Sequence, residues 1–303
     1  MNKLIRIGTR ASALALWQAH TLQDLLNAKG YTTELVPIKS DGDLDLVQPL
    51  YEMGTVGIFT KTLDAALLNN RIDIAIHSMK DVPTQLPEGI KQAAVLERGA
   101  VLDVLVKKAT AVAFENPATI ATGSLRRKAQ WLAHYPNHNI VPLRGNIQTR
   151  LTKLKDEAWD GAIFAEAALV RLDTKTERVE ILDWMIPAPA QGALMVVCRT
   201  VDTTIFDSLQ QFNRPDAALC TQIERDFLRT LEGGCTAPIG ALATLEGGQV
   251  HFNGGVFSMD GKRKFLVSET FGKSTAQNKG VELANALLKK GAATLLQEFK
   301  SSL

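Results

Sequence analysis

The chain has 303 residues, enough for two or three domains and a substantial core. Apolar residues make up 46% and charged residues 22%, the balance of an ordinary soluble globular protein, and no apolar run is long enough to span a bilayer. A formal charge of +2 argues against broad nucleic-acid binding driven by counterion release, though it leaves room for a concentrated cationic cleft. Three cysteines without a C-x-x-C pair suggest neither a disulfide framework nor a zinc site. With no secretory apolar stretch at Met1–Ile7, the expectation is a cytoplasmic protein without bound metal.

In chain order, "KLIRIGTR" predicts a strand that runs into a loop. The helix "SALALWQAHTLQDLLNAKG" follows, capped by Ser12, with Leu22, Leu25 and Leu26 at helical spacing and Gly30 as its stop. "TELVPIK" reads as a second strand. "FTKTLDAALLNN" sets Phe59, Leu63 and Leu67 on one helical stripe, and "IDIAIHS" is a short buried strand. The pattern resumes with the strands "VLDVLVKK" and "ATIATGS", the helix "LRRKAQWLAHY", the strand "NIVPL", the helix "IQTRLTKLKDEA" and the strand "GAIFA". Such alternation predicts parallel sheets covered by helices. From about Pro215 the grammar changes. A helix, "PDAALCTQIERDFLRTLEGG", leads into "PIGALATLE", "QVHFNGGVFSM" and "KFLVSETF", three antiparallel strands punctuated by Gly-Gly and Asp-Gly turns. One amphipathic helix, Thr275 to Glu298, is expected to close this α+β domain.

Open α/β sheets bind ligands beyond the carboxyl ends of their strands. That rule points to "GTR", "HSMKD", "TGSLRR" and "RGN". Arg10, Arg126, Arg127, Arg144 and Arg150 fall at or just beyond those strand ends, and Arg171 follows "FAEAAL". Any one of them is ordinarily solvated surface, but together they suit a ligand rich in carboxylates or phosphates, which guanidinium forks bind in pairs. Gly123 and Ser124 are placed at a helix N-terminus, which attracts anions, although Ser124 is also a plain N-cap. No nucleotide-binding glycine fingerprint is present. Lys80 and Asp81 form either an exposed turn or a working pair, with the carboxylate as proton donor and counterion to a developing cation. His77 reads as a satisfied core histidine, and Cys198 and Cys220 as core. Cys235 differs: it lies on the glycine loop "LEGGCTAPIG", where a thiol suits a nucleophile or an attachment point.

Six stretches, "GTRASALALWQA", "DIAIHSMKDVPT", "TGSLRRKAQ", "LRGNIQTRL", "PAPAQGAL" and "LEGGCTAPIG", occur in order, and with them the chain closely resembles the porphobilinogen deaminase family. The resemblance implies two doubly wound domains of the periplasmic-binding-protein type (type II). It adds a C-terminal α+β domain with a three-stranded antiparallel sheet. Domain 1 would take residues 1–97 and 192–212, domain 2 residues 98–191, and the cofactor-carrying domain residues 213–303. It also implies a dipyrromethane cofactor held by a thioether at Cys235. Onto this primer a transferase of tetrapyrrole (heme) biosynthesis would condense four porphobilinogen molecules, losing ammonia each time, and then release hydroxymethylbilane by hydrolysis. Asp81 matches the family's essential aspartate. Arg126, Arg127 and Arg150 would hold the primer, with Lys80 and Ser124 assisting, while Arg10, Gln18, Arg144 and Arg171 would bind incoming substrate and the growing chain. The arginines then have a physical reason, because two carboxylates about 4 Å apart repel by roughly 4 kcal/mol at an effective dielectric of about 20, and every pyrrole carries two. A monomer without nucleic-acid or membrane partners is implied.

In two places the sequence departs from that pattern. The stretch "MGTVGIF" carries Thr55-Val56 where many relatives have Gly-Lys in a mobile loop, so a lid role for that lysine does not carry over. "ERGAVLD" lacks the usual acidic-proline hinge wording. Two rival readings come from other classes. A non-catalytic two-lobed anion-binding module would explain the arginines but not Cys235, and a cysteine hydrolase pairing Cys235 with His77 has no evident third group.

Overall fold

The computed structural model describes residues 4–39, 60–108, 116–176, 178–231 and 237–301. Strand β1 (Ile5–Arg10) turns into helix α1 (Ala13–Asn27) at Ser12, whose hydroxyl accepts the Ala15 N–H at 3.4 Å. Then come β2 (Thr33–Ile38), α2 (Lys61–Leu68), β3 (Ile74–Ser78), β4 (Ile90–Val95), β5 (Asp103–Lys107) and β6 (Thr119–Ala121). The middle of the chain holds α3 (Leu125–His134), β7 (Asn139–Val141), α4 (Ile147–Asp156), β8 (Gly161–Ala165), α5 (Glu166–Arg171) and β9 (Val179–Leu182). After β10 (Leu194–Arg199), α6 (Thr203–Gln210) and α7 (Pro215–Thr230) come β11 (Ile239–Glu246), β12 (Gln249–Phe257), β13 (Lys264–Gly272), α8 (Lys279–Leu287) and α9 (Ala293–Ser301).

One compact unit holds the described residues up to Gly99 together with Gly192–Ala218. Its sheet runs β2-β1-β3-β10-β4, with β1 parallel to β2 and β3, and β10 antiparallel to both β3 and β4. Leu22 and Leu26 of α1 and Ile205 and Leu209 of α6 pack with Ile5, Ile7, Ile74, Ile76, Leu194 and Val196 as one core. Leu25, placed by helical spacing on the same stripe, is instead exposed. At the foot of the sheet Asp73 accepts hydrogen bonds from Arg6 and Arg199, tying β1, β3 and β10 together.

The other unit holds the described parts of Ala100–Gln191 and Leu219–Leu303 and contains two sheets. The first, β7-β6-β8-β5-β9, repeats the same pattern: β6 is parallel to β7 and β8, and β5 is antiparallel to β8 and β9. Both its faces are covered. Val104 and Val106 pack with Leu154 and Leu169 on one side, and Leu105 and Ile163 with Trp131 on the other. Thus each lobe is a doubly wound α/β sheet. Strand-helix alternation predicts parallel sheets, and each sheet also carries one antiparallel strand, β10 or β5. Both strands follow a chain crossing, so their partners are remote in sequence and their direction leaves no local mark. Strands β4 and β9 are also additions to the sequence reading.

The second sheet of this unit, β11-β12-β13, is antiparallel throughout. Its first hairpin turns on Gly247 and Gly248, both at positive φ, the geometry a two-residue turn requires. Phe227 and Leu228 of α7, Phe252 of β12 and Leu283 and Leu287 of α8 form its core. The closing helix expected from Thr275 to Glu298 is broken in two. Gly291 adopts φ 113, outside helical space, and separates α8 from α9. Among the described residues no helix is long and apolar enough to cross a membrane.

Candidate active site

In the first unit, β1 and β3 both deliver side chains from their carboxyl ends into one pocket, as open α/β sheets do. Arg10, Ser12 and Gln18 line it from β1 and α1, Thr60 from the start of α2, and His77, Ser78 and Asp81 from the end of β3 and the turn beyond. Asp81 ends a single 3₁₀ turn, Met79–Asp81. Met79 is buried and its N–H donates to Ala193 O at 3.0 Å, so the turn is anchored while the carboxylate stays exposed. Gln18 is buried and its Nε2 donates to Ser78 Oγ at 2.8 Å. The pocket therefore joins Arg10, Gln18 and Asp81, three residues singled out from sequence. It adds Ser12, Thr60, Ser78 and His77, which sequence reading did not place there. Lys80 neighbours Asp81 in the same turn and is half-buried.

His77 departs from the satisfied core histidine expected. It is only 7% exposed, lines the pocket, and its imidazole makes no hydrogen bond with any described residue. Burial pushes its pKa down to about 4, with the Arg10 guanidinium acting in the same direction. Its imidazole is neutral at physiological pH.

Asp64 of α2 is a second buried titratable group in this unit. Burial pushes its carboxyl up to about 6, against a hydrogen bond from Thr60 that favours the anion. The native state thus holds this proton more tightly than the unfolded chain. Stability from this group is complete below pH 3.8 and is lost as pH rises through about 6, an effect of up to about 3 kcal/mol. His77 acts oppositely: its contribution is complete above pH 6.5 and is lost as pH falls through about 4. The two largely offset between those limits. Asp64→Asn is expected to raise the melting temperature at pH 7.5 and to steepen the loss of stability on acidification below pH 6.5. Thermal melts across pH 4 to 8 check this, and an unchanged profile would contradict it.

In the second unit the anion-binding candidates lie beyond β6, β7 and β8. Ser124 caps α3, its hydroxyl accepting the Arg127 N–H at 3.4 Å. Gly123 runs so close to the next loop that a Cβ there would meet Leu143 O at 2.5 Å, which joins the Ser124 turn to the Arg144 loop. Asn146 caps α4, and Arg150 Nε donates back to Gly145 O at 2.7 Å. Arg171 ends α5, where burial lowers its pKa from the ordinary value.

Arg126 and Arg127 are both buried, and much of their hydrogen bonding is internal. Arg126 Nη1 donates to Asp103 Oδ2 at 2.7 Å and to Ile186 O at 2.9 Å. Arg127 donates to Asp103 Oδ1 from Nε at 3.1 Å and from Nη2 at 2.7 Å, and from Nη1 to Ile163 O at 2.9 Å. Gln191 Nε2 adds a bond to the same Oδ1 at 3.0 Å. Asp103 is fully buried, so one carboxylate faces two guanidiniums and the node keeps a net positive charge. Arg126 Nε is buried without a hydrogen-bond partner among the described residues. Sequence reading missed Asp103, although an acidic residue opening the apolar run "VLDVLVKK" is the kind of anomaly that marks a buried pair. Cys198 and Cys220 are buried, as expected. Cys235 and the Thr55-Val56 stretch lie outside the described residues.

Comparison with known proteins adds a family to this geometry. Residues 5–207 match the family model "Porphobilinogen deaminase, dipyromethane cofactor binding domain", and residues 218–289 match "Porphobilinogen deaminase, C-terminal domain". The chain is 41% identical over 300 residues to the porphobilinogen deaminase of Syntrophomonas wolfei, covering 97% of this chain and 98% of that one. It is 40% identical over 300 residues to that of Pelobacter propionicus, covering 97% and 96%. Among solved structures, an ancestral cationic amino acid solute binding protein matches 69% of this chain and 87% of its own, with 16% identity and a TM-score of 0.45. At that level the likeness carries no argument, and the architecture rests on the strand order itself. The comparisons give no support to the non-catalytic reading.

Proposed function

The chain belongs to the porphobilinogen deaminase family, and we propose that it performs stepwise condensation of four porphobilinogen molecules, with loss of ammonia, followed by release of hydroxymethylbilane. The family is one of transferases with a dipyrromethane cofactor. The observation that carries the reading is the pocket that joins the Arg10 guanidinium to the Asp81 carboxylate. Porphobilinogen bears two carboxylates and an aminomethyl cation, so it needs both signs of charge within one small space.

Arg10 and Gln18 orient the substrate by its carboxylates. Asp81 stands at the aminomethyl end, where its carboxylate pairs with the ammonium, the C–N bond breaks to release ammonia, and the same carboxylate then faces the cation left on the substrate. It next takes the proton from the newly substituted ring carbon, a short transfer for a side chain already in place. The donor set of the second unit fits a polyanionic cofactor, given the net positive Asp103 node and the orphaned Arg126 Nε. Arg126, Arg127 and Arg150 would hold the dipyrromethane, assisted by Lys80 and Ser124, with Cys235 as its attachment point, while Arg144 and Arg171 would take the lengthening chain. When bound, the dipyrromethane supplies the nucleophilic pyrrole end that accepts monomers. To this division of labour we assign a three-domain layout of 1–97 with 192–212, 98–191 and 213–303. We further infer a cytoplasmic monomer with no nucleic-acid or membrane partner, in keeping with the small net charge.

Intact-mass measurement before and after adding porphobilinogen tests the reading. The expected result is a starting mass above that of the polypeptide by two pyrrole units, then successive one-pyrrole increments. A chain of plain polypeptide mass that gains none would overturn it.

A further inference from the structure

We propose that His77 is a substrate-binding and specificity-determining residue, its neutral imidazole accepting a hydrogen bond from an N–H of the incoming pyrrole monomer. The inference rests on the deaminase reading and goes beyond it, by giving work to a side chain the reaction scheme leaves idle. The geometry carries it. A polar ring that is 93% removed from solvent ordinarily finds a partner inside the protein, as Gln18 does in this same pocket with Ser78. His77 has none among the described residues, and it lines the wall shared with Arg10 and Asp81. A ring nitrogen that lines the pocket without a partner among the described residues is available to accept from a ligand.

The chemistry of the pocket shows which ligand group fits. Arg10 is a donor only and suits the carboxylates of the monomer, while Asp81 accepts and suits its cation. What remains for a neutral imidazole is an N–H, either of the aminomethyl group or of the pyrrole ring. A second cation beside Arg10 would repel the ammonium end of the substrate. An uncharged ring adds a hydrogen bond without that penalty. On this view the pocket discriminates in favour of pyrroles that present both carboxylates and N–H donors.

The test uses the full-length chain carrying its own cofactor and compares wild type with His77→Phe, His77→Asn and His77→Lys. Steady-state rates are measured with porphobilinogen and with an analogue methylated on the pyrrole nitrogen, which lacks the ring N–H donor. Loss of one hydrogen bond to the substrate is expected to raise KM about tenfold in His77→Phe, with a smaller change in kcat. His77→Asn, which restores a neutral acceptor, is expected to recover most of that loss. His77→Lys is expected to be the worst of the three with the cationic substrate. A defect confined to porphobilinogen assigns the bond to the ring N–H, and an equal defect with both substrates assigns it to the aminomethyl group. KM values unchanged in all three variants would overturn the proposal. So would equal losses in His77→Phe and His77→Asn that track a lowered melting temperature, the mark of a structural role. The wild type separates the two readings: if it fails to turn over porphobilinogen, the deaminase assignment falls, whereas an active wild type with indifferent His77 variants removes only His77.

Discussion

Asp81→Asn is expected to leave a folded protein whose turnover of porphobilinogen falls by a factor of about 100 or more. The substitution keeps the size and planarity of the side chain. Its site also predicts little structural cost, because Asp81 is exposed at the end of a turn whose anchors are Met79 and the bond from Met79 N–H to Ala193 O. The charge is what disappears. An amide cannot pair with the ammonium, cannot balance a cation, and cannot remove a proton from a ring carbon. Three roles assigned to one carboxylate fail together, so the loss should lie in kcat more than in KM. Single-turnover and steady-state rates, with a melting curve beside them, separate this outcome from unfolding. Turnover within a few-fold of wild type would remove Asp81 from the mechanism.

Cys235→Ala should be equally severe for a different reason. The proposed thioether is what keeps the primer, and with it the growing chain, from diffusing away between additions. Covalent tethering replaces repeated bimolecular capture by one permanent attachment, an advantage worth many orders of magnitude in effective concentration. The variant should fold, because the C-terminal core is built from Phe227, Phe252, Leu283 and their neighbours. It should have the mass of the bare polypeptide, fail to colour with Ehrlich's reagent, and show no sustained product formation. A wild-type chain that is active without any adduct would contradict the assignment.

Much of the local grammar was legible in the sequence because it depends on neighbours a few residues away. Ser12 and Ser124 cap the helices they precede, and Gly247-Gly248 turns the hairpin where it was expected. The six motifs point to the family by themselves, and Cys235 stands out by its glycine loop. Other features depend on partners far along the chain. No periodicity announces that β5 and β10 enter their sheets antiparallel, since pairing direction is set by the crossings that deliver them. The Asp103 node joins residues 23, 24 and 88 positions apart, and an ion pair of that span has no sequence signature beyond one acid in an apolar run.

The same division holds at the pocket. Composition and motif spacing determined by themselves that the molecule carries arginines and an aspartate at strand ends, which is chemistry suited to a polyanionic pyrrole. Tertiary structure alone decided that His77 lines one pocket with Asp81 and Arg10, and that Arg126 and Arg127 share a buried carboxylate. The physical reason is that a side chain's charge state and hydrogen-bonding freedom depend on desolvation and on the groups packed around it, and those are properties of the assembled core rather than of the residue.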